Sequence, residues 1–65
     1  MGATLKQIHR RRFLDLLQAY RAAIIANDTG AFVRVSIALH GASGDVPKSW
    51  RGMIGRTRRD AETAR

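Results

Sequence analysis

The chain has 65 residues, and its 12 Lys and Arg against 5 Asp and Glu give a net charge of +7. It contains no cysteine, which excludes a disulfide framework and a thiolate metal site, and no run of 18 apolar residues, which excludes a membrane span. A domain this short buries only about 60 % of the surface its unfolded chain exposes. It has little room for a pocket of several hundred cubic ångströms. Its expected stability is a few kcal/mol, so a homodimer or a bound partner is one route to extra burial.

Charge is unevenly placed. Residues 1–12 carry four bases and no acid, residues 13–47 have a net charge of −1, and residues 48–65 have +4. Ten of the twelve bases are Arg, whose planar fork suits phosphate and stacks on bases. A balance of this kind favours nucleic acid, an anionic membrane surface or an acidic protein face. The N-terminal residues lack the apolar core of a signal peptide, and Lys6 stands where a myristoylation motif needs Ser or Thr. The expectation is a cytoplasmic protein.

In chain order, Thr4-Leu5-Lys6-Gln7 reads as a capping box. From there to about Ala26 no Gly or Pro interrupts a run of good helix formers. Phe13, Leu16, Leu17, Tyr20 and Ile24 recur at helical spacing and predict the core face, with Leu14 and Ile25 widening it. Arg11, Asp15, Gln18 and Ala22 lie opposite. The helix is predicted to stop at Asn27-Asp28-Thr29-Gly30, a cluster of turn formers.

Residues 31–40 read two ways. Val33, Val35, Ile37 and Leu39 alternate with Arg34, Ser36, Ala38 and His40, the period of a strand. As a helix, Phe32, Val35 and Leu39 share a face, Asp28 or Thr29 caps the start, and Gly41 ends it. The chain offers no second strand, so a strand here needs a partner across a dimer. Helix is the preferred reading.

Gly41 to Asp45 reads as a loop, and Pro47 suits the first turn of a third helix. Val46, Trp50, Met53, Ile54, Thr57 and Ala61 form its apolar stripe, with Lys48, Arg51, Arg56, Arg58 and Arg59 on the other side. Gly52 and Gly55 fall on that basic face. Each lowers helix propensity by about 1 kcal/mol relative to Ala, unless something must approach the backbone there.

Ile37-Ala38-Leu39-His40-Gly41-Ala42-Ser43, followed by Val46 and Lys48-Ser49-Trp50-Arg51, resembles the helix-turn-helix of small repressors. The resemblance covers residues 31–56. It departs from the pattern in an Ala38-to-Gly41 spacing one residue short and in Pro47, inside the recognition helix. It implies that Lys48, Ser49, Arg51 and Arg56 face the major groove or its phosphates.

Arg10, Arg11 and Arg12 point in different directions on a helix and cannot all meet one ligand. Three cations near the positive end of a helix dipole are locally unfavourable, which hints at an anionic partner. Arg56, Arg58 and Arg59 lie near a C-terminus, where the dipole favours them. Trp50 fits core or interface packing by its spacing, because base stacking needs it exposed. His9 and His40 lack metal-ligand spacing, the acids do not pair for acid–base work, and no nucleophile elbow or phosphate loop is present. No metal, cofactor or enzymatic activity is expected.

The sequence thus predicts a small all-α domain spanning residues 1–65. It has a long helix, a short second helix and a basic third, with the last few residues flexible. It is monomeric or a homodimer, and the alternative is α-β-α with residues 31–40 as a strand paired across that dimer. The expected function is a nucleic-acid-binding module, with DNA favoured over RNA, acting as a regulatory protein. The expected contacts are Arg10, Arg11, Arg12, Lys48, Ser49, Arg51, Arg56, Arg58 and Arg59. The expected core or interface is Phe13, Leu16, Leu17, Tyr20, Ile24, Trp50, Met53 and Ile54. The alternative is a small phage- or plasmid-type protein that docks helically on an acidic host protein and inhibits or regulates it.

Overall fold

The computed structural model describes residues 2–65. It holds three helices, α1 (Leu5–Ile25), α2 (Thr29–Ala42) and α3 (Gly52–Ala64), and no strand among the described residues. Residues 31–40 are helical, so the α-β-α alternative is set aside.

α1 starts where its capping box places it. The Thr4 N–H donates to Gln7 Oε1 at 3.0 Å, and the Gln7 N–H donates to Thr4 Oγ1 at 3.2 Å. Its end is a Schellman motif built on Asn27, whose φ of 55° is the one positive value among non-glycine residues. The Asp28 N–H donates to Ala23 O at 2.9 Å and the Asn27 N–H to Ile24 O at 3.0 Å, which satisfies two otherwise orphaned carbonyls. Asp28 then caps α2 at once, its Oδ1 accepting from the Ala31 N–H at 3.1 Å. The corner needs only Asn27 and Asp28, and Gly30 lies inside α2.

α2 runs back along α1. Tyr20 stacks on Phe32 near the corner, with ring centroids 5.2 Å apart, and His9 approaches Asp45 at the far end. α2 continues through Gly41 to Ala42, and no glycine in the described residues has positive φ. The expectation that Gly41 ends the helix is therefore corrected. Ala42 is buried and helical packing carries the chain past the glycine. Two single 3₁₀ turns, Ser43–Asp45 and Lys48–Trp50, then bring the chain to α3. Pro47 is extended before the second turn, and α3 starts only at Gly52, so Pro47 does not occupy the first turn of the third helix.

α3 runs parallel to α1: Phe13 meets Trp50, Arg21 bonds Asp60, and Arg65 reaches Asn27. α1 is therefore the shared support. The core comprises Phe13, Leu17, Tyr20, Ala23 and Ile24 of α1, Leu39 and Ala42 of α2, Val46 of the connection and Ala61 of α3. Leu16, Trp50, Met53 and Ile54 are half-buried against it, as are Phe32 and Val35. Leu14 and Ile25 stay exposed at 41 % and 43 %, because each lies about 100° around the helix from its buried neighbour. They do not widen the core face.

Phe13 is fully buried, so Phe13→Ala is expected to cost about 3–5 kcal/mol and to unfold most of the protein at 25 °C, read by urea denaturation. A Cβ at Gly55 would meet nothing within 4 Å, so Gly55→Ala is expected to stabilise by about 0.5–1 kcal/mol in the same assay.

Candidate functional site

The basic residues named from sequence fall into three surroundings. The first is built around Trp50. Its ring packs on Phe13 with centroids 6.1 Å apart and planes tilted by 59°. Arg10, one turn before Phe13 on α1, also reaches Trp50, with the guanidinium carbon over the ring at 5.5 Å from the centroid. Trp50 is thus held to α1 by an aromatic contact and a cation–π contact. Arg10 Nε is buried there without a hydrogen-bond partner. Lys48, Ser49 and Arg51 flank Trp50 in the chain and are exposed. Arg51 Nε donates to Ser43 O at 3.4 Å, which ties the two 3₁₀ turns together. The fold therefore joins the basic start of α1 to the basic approach to α3, 38 residues later in the chain.

The second surrounding is the exposed surface of α1 and α3. Arg11 and Arg12 project from α1 about 100° apart and meet no carboxylate within salt-bridge distance. Arg56 and Arg59 do the same from α3. Arg56 lies one turn before Asp60, which bonds Arg21 at 3.0 Å, so Arg56 flanks the α1–α3 seam.

The third is the Arg58–Glu62 pair at 3.2 Å, in which the arginine is held by an acid one turn on. Arg58 is separated from Arg56 and Arg59 in this respect. It borders a cleft of about 210 Å³ whose lining includes Asn27, Asp28, Phe32, Glu62 and Arg65. The polar groups of that cleft already have partners: Arg65 bonds Asn27 Oδ1 at 3.2 Å, and Asp28 caps α2.

The acids are correspondingly occupied. Asp45, Asp60 and Glu62 face a base, and Asp28 accepts from a backbone N–H. Of the 12 Lys and Arg, only Arg21 and Arg58 have a carboxylate partner. α3 itself begins without a side-chain cap or an acid in its first turn. The positive end of its dipole sits beside Lys48 and Arg51, although the Ile54 N–H already donates to Arg51 O at 3.2 Å.

The helix-turn-helix geometry is not what joins α2 to α3. That motif uses a turn of 3–4 residues, whereas here residues 43–51 intervene, with Val46 buried in the core. The extra residues are consumed by the two 3₁₀ turns and by seating Val46 and Trp50. Among the described residues, no group of three or more His, Asp or Glu is placed to hold a metal ion. No helix among the described residues is long and apolar enough to cross a membrane.

No family model matches the chain, and no curated protein or solved structure matches it.

Sequence reasoning placed the basic positions but not their pairing. The Arg10–Trp50 contact joins distant segments and leaves no local pattern. The Arg58–Glu62 pair did have a signal, the i, i+4 spacing of opposite charges on one helix face.

Arg10 covers Trp50, so Arg10→Ala is expected to red-shift the tryptophan emission and increase its quenching by acrylamide, at a stability cost of about 0.5–1 kcal/mol. Both sides of the Arg21–Asp60 pair are half exposed or more, so Asp60→Asn is expected to change stability by less than about 1 kcal/mol, read by thermal unfolding.

Proposed function

We propose that this protein is a small nucleic-acid-binding module that grips the phosphate backbone of duplex DNA and serves in regulation. The observation that carries the reading is the imbalance of partners: four of the five acids are held by groups within the fold, and ten of the twelve bases are left without an acid. A fold of net +7 that projects unpaired Arg and Lys is suited to a polyanion. The start of α3, which has no acidic residue in its first turn, turns the positive end of its dipole toward Lys48 and Arg51.

The aromatics favour a duplex over a single strand. Phe13 and Tyr20 are buried, Phe32 stacks on Tyr20, and Trp50 is held by Phe13 and Arg10. No aromatic among the described residues offers the open platform on which unpaired bases stack. Recognition then rests on phosphate contacts from Arg11, Arg12, Lys48, Arg51, Arg56 and Arg59, with Ser49 as a neutral donor and Arg10 as the residue that positions the Trp50 turn. Affinity comes mainly from counterion release.

The test is fluorescence anisotropy of a mixed-sequence DNA duplex, with single-stranded RNA alongside, between about 50 and 200 mM salt. Duplex binding is expected to persist at the upper salt. Replacing Arg51, Arg56 or Arg59 by Ala is expected to lower the log–log salt slope by about one unit each. Arg58→Ala is expected to change the slope less, because Glu62 already offsets that charge. Binding that vanishes at the upper salt, or is indifferent to all of these substitutions, overturns the proposal and leaves docking on an acidic protein as the use of the same surface.

A further inference from the structure

We propose that Leu5 and Ile8, at the projecting start of α1, form an apolar wedge that enters the minor groove of the duplex, opens one base step and bends the DNA. The inference rests on the nucleic-acid reading above and gives it a mode of binding. Leu5 is 68 % exposed and Ile8 52 %. They lie three residues apart, about 60° around the helix, so their side chains stand together on one side.

The pair stands clear of the core. Residues 2–8 are all exposed, His9 is the first half-buried residue and Phe13 the first buried one. The connection after α2 meets α1 at His9, through Asp45, and Trp50 meets it at Arg10 and Phe13. A helix start without packing frays unless its free N–H groups find partners. Here the reciprocal Thr4–Gln7 capping box closes the first turn. Leu5 and Ile8 are therefore presented on a formed helix, as a wedge requires.

Charge identifies the class of occupant. Lys6 follows Leu5, Arg11 lies three residues after Ile8, and Arg12 lies one turn after it. None of the three has a carboxylate within salt-bridge distance. No acid occurs before Asp15, two turns beyond Ile8, and Asp45 meets α1 at His9, a turn beyond Leu5. The two apolar side chains are thus surrounded by free cations, which suits an apolar contact made inside a polyanion. Size narrows the class. A specific protein interface takes about 20–30 residues a side, and an interfacial membrane helix buries an apolar face along its length. Two side chains match neither. They match one step of stacked base pairs, about 3.4 Å in rise. Leu or Ile inserted between base pairs from the minor groove, alongside Arg and Lys, kinks a duplex by about 20–90°. The cost of unstacking is offset by the phosphates that the bend brings within reach, here those met by the Trp50 turn and α3.

The test uses two duplexes of about 25 base pairs, one with a dye at each end and one with 2-aminopurine at a central TA step, a step that opens readily. At saturating protein, energy transfer between the ends is expected to rise and 2-aminopurine emission to increase, the signatures of bending and unstacking. The double substitution Leu5→Ala and Ile8→Ala removes no cation and no buried side chain. It is expected to keep the wild-type salt slope and circular dichroism while losing both signals. Lys6→Ala is expected to lower the slope by about one unit. A saturated duplex that stays straight, or that bends without unstacking, overturns the wedge and leaves phosphate binding standing. So does a bend that persists in the double variant. Binding to phosphatidylserine vesicles that the double variant loses, with the duplex unbent, assigns the pair to a membrane and overturns the wedge as well. Absence of duplex binding at any salt defeats the nucleic-acid reading itself, and the wedge with it.

Discussion

The packing of Phe13 on α1 is the contact on which the remaining geometry rests. Its ring is fully buried, and Trp50 leans on it from the segment that leads into α3. α2 and α3 are each held chiefly against α1, in opposite directions, so α1 sets where both begin and end. Trp50 fixes the 3₁₀ turn that carries Lys48 and leads into Arg51, and Arg10 lies over its ring. One aromatic contact therefore couples the hydrophobic core to the charged surface. Loosening Phe13 would free the turn as well as open the core.

The distribution of charge follows from the same economy of size. A chain with so small a core cannot bury ions, and among the described residues no polar or charged residue is fully buried. Every ion pair lies at the surface and contributes little to stability. The Arg21–Asp60 and Arg58–Glu62 pairs each offset one base with one acid, and the excess of unpaired bases, net +7, sets the sign of the outer potential. α2 is less charged, with Arg34 as its one full charge beside the exposed Val33 and Ile37. The surface thus divides into a basic region carried by α1, the 3₁₀ turns and α3, and a less charged one carried by α2.

Local patterns in the sequence were reliable where local forces decide. The Thr4–Gln7 box, the Asp28 cap and the spacing of Phe13, Leu17, Tyr20 and Ile24 are short-range signals, and the structure places each accordingly; of the third-helix stripe, Met53, Ile54 and Ala61 pack from α3, while Val46 and Trp50 pack from the connection before it. The Gly41 reading failed because a glycine late in a helix pattern looks like a stop, while the burial of Ala42 carries α2 one residue beyond it. Pro47 misled in the same way, because a single 3₁₀ turn satisfies the geometry that a helix start would. Of the candidate site, the basic positions were legible but their environments were not. Arg10 meets Trp50, and Arg21 meets Asp60, only once α3 lies parallel to α1, an arrangement no spacing rule encodes.

The unpaired bases of α1, the Trp50 turn and α3 are proposed to form one polyanion-binding surface. The proposal is tested most directly by following backbone amide resonances while duplex DNA is added. The account predicts shifts concentrated at residues 10–12, 48–52, 56 and 59, with the outer positions Val33 and Ile37 of α2 unmoved. Shifts centred on α2, or none at saturating DNA, would contradict it.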